Sequence, residues 1–221
     1  YDKDASMQYL RDVYNSVLLK DVVQRNNIRD VELLERMILY LLDNVGHSFS
    51  ARSISNYLKQ ENRKVSAETI LNYIKACCDA YLFIQLRRED LQGKKILSVN
   101  EKYYSVDHGL RESILGTNAR NIDQILENIV CMELLRRGYT VTIGKNGEKE
   151  IDFVAKKNKD KLYIQVAYLL AGSGTIEREF GIYDSIRDHY PKYVLSLDEF
   201  DMSRDGIKHL NIRDFLLSKE F

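Results

Sequence analysis

Two short apolar segments constrain this chain most: Glu150-Ile151-Asp152-Phe153-Val154 and Tyr163-Ile164-Gln165-Val166-Ala167, separated by a basic loop at residues 156–161. β-Branched and aromatic residues on either side of a polar break favour adjacent strands. Strand side chains alternate, so Glu150 and Asp152 share one face of the first segment, and Gln165 and Ala167 share one face of the second. The flanking sequence completes a pattern. Residues 122–137 carry Ile125, Ile129, Met132 and Leu135 at helical spacing, closed by Gly138. Residues 139–143 read as a strand, and Asn146-Gly147 is the dipeptide that type I′ hairpins require. A helix is expected over 175–188, strands over 193–197 and 207–210, and a short helix over 213–217.

Helix, three meandering strands, helix, strand is the core order of the PD-(D/E)XK restriction-endonuclease-like α/β fold. Phosphodiester hydrolysis on such a frame needs a hard divalent cation held by oxygen ligands. The first helix supplies Glu127 and the second strand supplies Asp152, with Glu150 beside it; together they are the candidate ligands for Mg. Gln165 stands where a second acid is expected and offers only a neutral carbonyl oxygen. Ala167 stands where a lysine is expected and offers nothing. The candidate catalytic set Glu127, Asp152 and Gln165 is therefore degenerate, and Arg178 on the following helix is a conjectural replacement for the missing cation.

Upstream the rhythm is helical. Residues 9–26 place Leu10, Val13, Tyr14, Val17, Leu18 and Val22 three and four apart. Asp30 is a candidate N-cap for a helix ending near Gly46, Ser50 for a short one, and Ser66 for a third carrying Ile70, Ile74 and Cys77. Two extended runs around a polar break at 89–94 follow as a hairpin. Three helices and then a hairpin is the order of a winged helix. Its nucleic-acid contacts would be Asn72 and Lys75 on the third helix, opposed by Glu68 and Asp79, and Arg87, Arg88, Lys94 and Lys95 on the hairpin.

Lys and Arg balance Asp and Glu at 33 each, so any grip on a polyanion must come from local placement of charge. The three cysteines, Cys77, Cys78 and Cys131, form neither a disulfide framework nor a zinc spacing, which points to a reduced cytoplasmic setting. The histidines are scattered, and the glycine-rich run at 171–175 lacks the lysine of a phosphate loop. Residues 37–42, the longest apolar run, are too few to cross a bilayer. The chain opens on Tyr1 rather than Met, as a piece of a larger protein would.

Tyr9-Leu10-Arg11-Asp12-Val13-Tyr14, the paired Ile151-Asp152-Phe153-Val154 and Tyr163-Ile164-Gln165-Val166 strands, and Glu177-Arg178-Glu179 followed by Tyr190-Pro191-Lys192 resemble the C-terminal region of predicted prokaryotic AAA+ ATPases. The resemblance spans nearly the whole chain. It implies an upstream ATPase module that alone would bind ATP, then a winged helix, then a restriction-endonuclease-like domain of unknown function. Some relatives carry Glu-Val-Lys where this chain has Gln165-Val166-Ala167, so their metal chemistry does not transfer intact.

The expectation is a mixed α+β chain: residues 1–28 the helical tail of that upstream module, 29–106 a winged helix, 107–120 a connector, and 121–221 the nuclease-like domain. The expected role is a DNA-interaction or effector region without catalysis of its own. An active Mg-dependent nuclease and a protein-interaction or assembly module are the alternatives.

Overall fold

Local capping sets the helical half. In the computed structural model, which describes residues 2–93, 95–116 and 121–219 (side chains of 97–100 excepted), helix α1 spans Lys3–Ser16 and continues as a π-helical run, Val17–Gln24. Helix α2 (Val31–Asp43) begins where the Asp30 side chain accepts the Leu33 N–H at 3.0 Å. Ser50 caps α3 (Ala51–Gln60) through the Ser53 N–H at 3.3 Å, and Ser66 caps α4 (Ala67–Asp79) through the Thr69 N–H at 3.0 Å. Each such cap contributes about 1 kcal/mol. All three are the residues that the sequence nominates.

The chain divides into two compact units, Tyr1–Gln85 with Asn100–Arg120, and Leu86–Val99 with Asn121–Phe221. In the first, Leu34, Ile38, Ile70 and Ile74 form the core, and Leu18 and Val22 are buried in the same cluster. Residues 1–28 thus pack within this unit. Their apolar stripe is covered by the helices that follow. The expected connector is also structured: α5 (His108–Leu115) starts where Asp107 accepts the Gly109 N–H at 2.6 Å, and Leu110 and Ile114 pack on the cluster. Arg111 is buried and donates to the Leu42 carbonyl at 2.8 Å, satisfying an acceptor from the last turn of α2.

The hairpin is longer than expected. Strand β1 (Phe83–Asp90) runs on through residues predicted as a polar break, and β2 spans Lys95–Ser105. The chain crosses from the first unit to the second within β1 and returns within β2.

In the second unit, α6 (Ile122–Arg136) precedes β3 (Thr140–Asn146), β4 (Lys149–Lys157) and β5 (Asp160–Val166). Then come α7 (Ser173–Gly181), β6 (Lys192–Ser196), β7 (Lys208–Asn211) and α8 (Ile212–Leu217). The predicted helix over 175–188 stops at Gly181, and turns replace its second half. Among the described residues, seven strands form one mixed sheet in the order β2-β1-β3-β4-β5-β6-β7. β3–β4 and β4–β5 are antiparallel; β1–β3, β5–β6 and β6–β7 are parallel. The expected mixed α+β class holds. No helix among the described residues is long and apolar enough to cross a membrane.

Candidate functional site

The two segments that opened the sequence argument become β4 and β5, and Phe153 pairs with Ile164 in their antiparallel register. One residue further along, the Asp152 N–H donates to Gln165 Oε1 at 3.2 Å, and Asp152 Oδ2 accepts the Val166 N–H at 2.9 Å. Asp152 and Gln165 therefore lie side by side across neighbouring strands, each using a side-chain oxygen to satisfy the other strand's backbone. Asp152 is 9% exposed.

A bulge lies directly beneath. Thr142 pairs with Val154 but Gly144 pairs with Ile151, so Asp152 and Phe153 together oppose one residue of β3. Gly144 permits the close approach: a Cβ there would stand 2.9 Å from Val154 Cγ2 and 3.1 Å from Ile151 Cβ. The bulge lets Ile151 and Val154 join one apolar cluster with Tyr163, Ala167, Leu170 and Phe180.

Gln165, but not Asp152, lines a cleft of about 310 Å3 together with Glu150, Arg178 and Glu179 among others. Three of its charges are held in ion pairs. Arg178 holds Glu179 through Nε at 2.8 Å and Nη2 at 2.7 Å. Glu150 is bound by Arg88 of β1 at 2.6 Å. The Tyr183 hydroxyl donates to the Tyr193 carbonyl at 2.7 Å; burial, with Asp152 and Glu179 adding to it, pushes the phenol well above its ordinary range, so it stays protonated.

The expected metal set Glu127, Glu150 and Asp152 is not assembled. Among the described residues no group of three or more His, Cys, Asp or Glu side chains is placed to hold a metal ion. The reason is local. Glu150 is neutralised by Arg88, and Asp152 accepts a backbone N–H. Glu127 sits one turn beyond Asp123, whose carboxylate accepts the Tyr168 N–H at 2.9 Å, and it does not line the cleft. Ala167 is a core residue, not a vacant cation position. Of the catalytic set, Asp152 and Gln165 come together across the two strands.

Of the expected nucleic-acid contacts, Asn72 and Lys75 are exposed on α4, but Lys75 is tied to Asp79 at 2.6 Å. Arg87 and Lys95 are exposed, and Lys94 lies outside the described residues. Arg88 is a correction: its side chain is 13% exposed and engages Glu150 instead of solvent. A buried clamp escaped sequence reasoning altogether. Glu89 of β1 receives Lys156 of β4 on both oxygens at 2.6 Å, and the Thr142 hydroxyl of β3 at 3.0 Å. The available signal was a charged residue at an inward position of a strand.

A family model described as Domain of unknown function (DUF8612) matches residues 1–121. An uncharacterized protein of Haemophilus influenzae is 37% identical over 217 residues, covering 98% of this chain and 54% of that protein. An uncharacterized protein of Methanocaldococcus jannaschii is 31% identical over 217 residues, covering 96% of this chain and 48% of that protein. The chain thus spans about half the length of the curated relatives it matches. No solved structure matches it significantly.

Proposed function

This chain belongs to the family described as Domain of unknown function (DUF8612), and from that premise we propose that it is a DNA-interaction or effector region of a larger protein, with a nuclease-like frame that no longer hydrolyses. The Asp152–Gln165 pair carries the reading. Its support is that the two side chains lie side by side on neighbouring strands, as the nuclease-like reading requires, with their oxygens engaged by backbone N–H groups. A neutral amide in place of an acid removes one anionic ligand, and Ala167 in place of a lysine removes a group for handling the attacking water, a role worth about 10²–10⁴-fold.

What remains is binding. The order α2, α3, α4, β1, β2 supports a winged-helix reading, with Arg87 and Lys95, hairpin residues of the second unit, as the candidate phosphate contacts and Asn72 on α4 of the first unit as a separate candidate. The ATPase module implied by the resemblance would lie in the remainder of such a larger protein, and ATP is assigned to no residue here.

Gel-shift titration tests this. DNA binding is expected to weaken steeply with salt, because phosphate contacts release counterions, and to be lost in Arg87→Glu/Lys95→Glu. Plasmid cleavage in Mg or Mn that disappears in Asp152→Ala would overturn the non-hydrolytic reading. A second reading, assembly with another protein, draws on an apolar groove of about 550 Å3 lined by Leu33, Met37, Tyr40, Ile54 and Tyr57. Absence of salt-sensitive DNA binding would favour it.

A further inference from the structure

The chain is electrically balanced as a whole, yet one pocket of the second unit is not. It measures about 580 Å3 and is lined by Arg136, Arg137, Tyr139, Lys157 and Lys219, with Leu216, Leu217 and Ser218 completing the wall. No carboxylate is among its described lining residues. Behind it lies Glu133, which takes Arg136 at 2.7 Å and Arg137 at 2.6 Å, and Asp160, opposite Lys157 across β4 and β5, adds its charge near Tyr139. Those hydrogen bonds, Arg136's first, hold the Glu133 carboxyl below its ordinary range, so it remains ionised. Four lining cations against the nearby carboxylates of Glu133 and Asp160 leave the pocket net positive among the described residues.

Cations at a helix C-terminus answer the helix dipole, and that explains Arg136. It does not explain the rest, because the charges converge from different elements. Lys157 comes from the end of β4 and Lys219 from beyond α8. Arg137 is fixed in place: it lies 4.7 Å over the Phe215 ring and donates to the Phe215 and Ser218 carbonyls at 2.7 and 2.9 Å. A guanidinium anchored this way keeps its charge at the pocket wall without further ordering cost. Arg136 is 70% exposed and reaches outward. Tyr139 supplies an aromatic face, with Lys157 Nζ 5.6 Å from its centroid. At the same end of the sheet Lys208 lies 5.6 Å from the Tyr193 ring, and Lys161, 4.5 Å from the Tyr163 ring, is paired with Asp188 at 3.8 Å.

We propose that this Arg/Lys pocket is a binding site for the phosphate backbone of single-stranded nucleic acid, with Tyr139 offering a stacking surface to a base. Cations beside an aromatic ring are the combination that single strands use, phosphates on the charges and bases on the ring. The site rests on the DNA-interaction reading above but lies on different residues from the hairpin.

Anisotropy of a labelled 20-nucleotide oligothymidylate, against a duplex of the same length, tests it across a salt series with the full chain. Each lost phosphate contact lowers the log–log salt slope by about 0.7 on single strands. Arg136→Gln/Lys157→Gln/Lys219→Gln is therefore expected to lower the slope by about 2 and weaken binding about tenfold or more. Tyr139→Ala is expected to weaken the single strand and spare the duplex. Lys157→Gln/Lys219→Gln leaves the Glu133 pair intact and serves if the triple variant fails to give a wild-type circular dichroism spectrum. If the pocket variants bind like the wild type while Arg87→Glu/Lys95→Glu loses binding, the pocket proposal falls and the functional reading stands. If the unaltered chain binds neither probe, both fall. Loss of duplex but not single-strand binding in the pocket variants also overturns the proposal.

Discussion

Replacing Gln165 by Glu puts a second carboxylate directly across from Asp152. The present amide accepts the Asp152 N–H at 3.2 Å, and Asp152 accepts the Val166 N–H at 2.9 Å, so the new charge is held in the same cross-strand position. Side chains directly opposite on antiparallel strands stand about 5 Å apart. Two charges at that spacing repel by about 3 kcal/mol at an effective dielectric near 20. Asp152 is largely buried, so water screens little of this. The variant is expected to lose about 2–3 kcal/mol at pH 7, read as a fall in the urea midpoint at unchanged slope. The sign of the pH dependence follows. One of the paired carboxyls has its folded-state pKa raised above about 4.3, the unfolded value for Glu, so the folded variant holds more protons than the unfolded chain. The penalty is therefore present at neutral pH and fades as pH falls toward that value. Mn adds the second arm. If the frame is a nuclease-like one missing an acid, the variant gains a cation response that the wild type lacks, about 2.7 kcal/mol at a hundred times the dissociation constant. A variant as stable as the wild type at pH 7, and indifferent to Mn, would refute the claim that the two side chains share one electrostatic environment.

Two further outcomes test the surrounding architecture. Lys156→Met strands the Glu89 carboxylate, which is 7% exposed, with the Thr142 hydroxyl as its described remaining partner. Because Lys156 is 41% exposed, the cost is discounted to about 1–3 kcal/mol, whereas Glu89→Leu/Lys156→Met removes both charges and is expected to recover most of it in a denaturation double-mutant cycle. His209 accepts the Met202 N–H on Nδ1 at 3.3 Å, so its ring proton sits on Nε2, 2.9 Å from Ser196 Oγ, which in turn donates to Asp198 at 2.7 Å. Burial lowers the His209 pKa despite Asp198 and Asp201 nearby. The unfolded chain then binds the extra proton more readily, so stability present above about pH 6.5 is lost as pH falls through the folded-state value; His209→Gln is expected to flatten that part of the urea-midpoint profile.

Much of the second unit could be read from residue order, because its signals are local. The helical spacing of Ile125, Ile129 and Met132, the Asn146-Gly147 turn and the alternation on either side of residues 156–161 each specify an element without reference to distant partners. Capping was equally legible, since Asp30, Ser50 and Ser66 act within three residues. The misses are non-local. β1 pairs in parallel with β3, Arg88 opposite Ile143, across more than fifty intervening residues. That pairing turns Arg88 toward Glu150 and Glu89 toward Lys156, charges that sequence alone assigns to solvent. α5 was obscured for a different reason. Its eight residues bury Arg111 and Ser113, so no clean apolar stripe announces it. Asp152 and Gln165 were placed correctly relative to each other.

The path of the chain through β1 and β2 has a practical meaning for anyone dissecting it. The second unit is not one continuous stretch, because residues 86–99 belong to it and are encoded ahead of the closing part of the first. Cutting at residue 120 would strip β3 of its parallel neighbour and bare a row of unsatisfied amides and carbonyls, the kind of rim that recruits other chains into aggregates. The two units are thus interleaved in the gene, and neither can be inherited, expressed or evolved as a simple cassette.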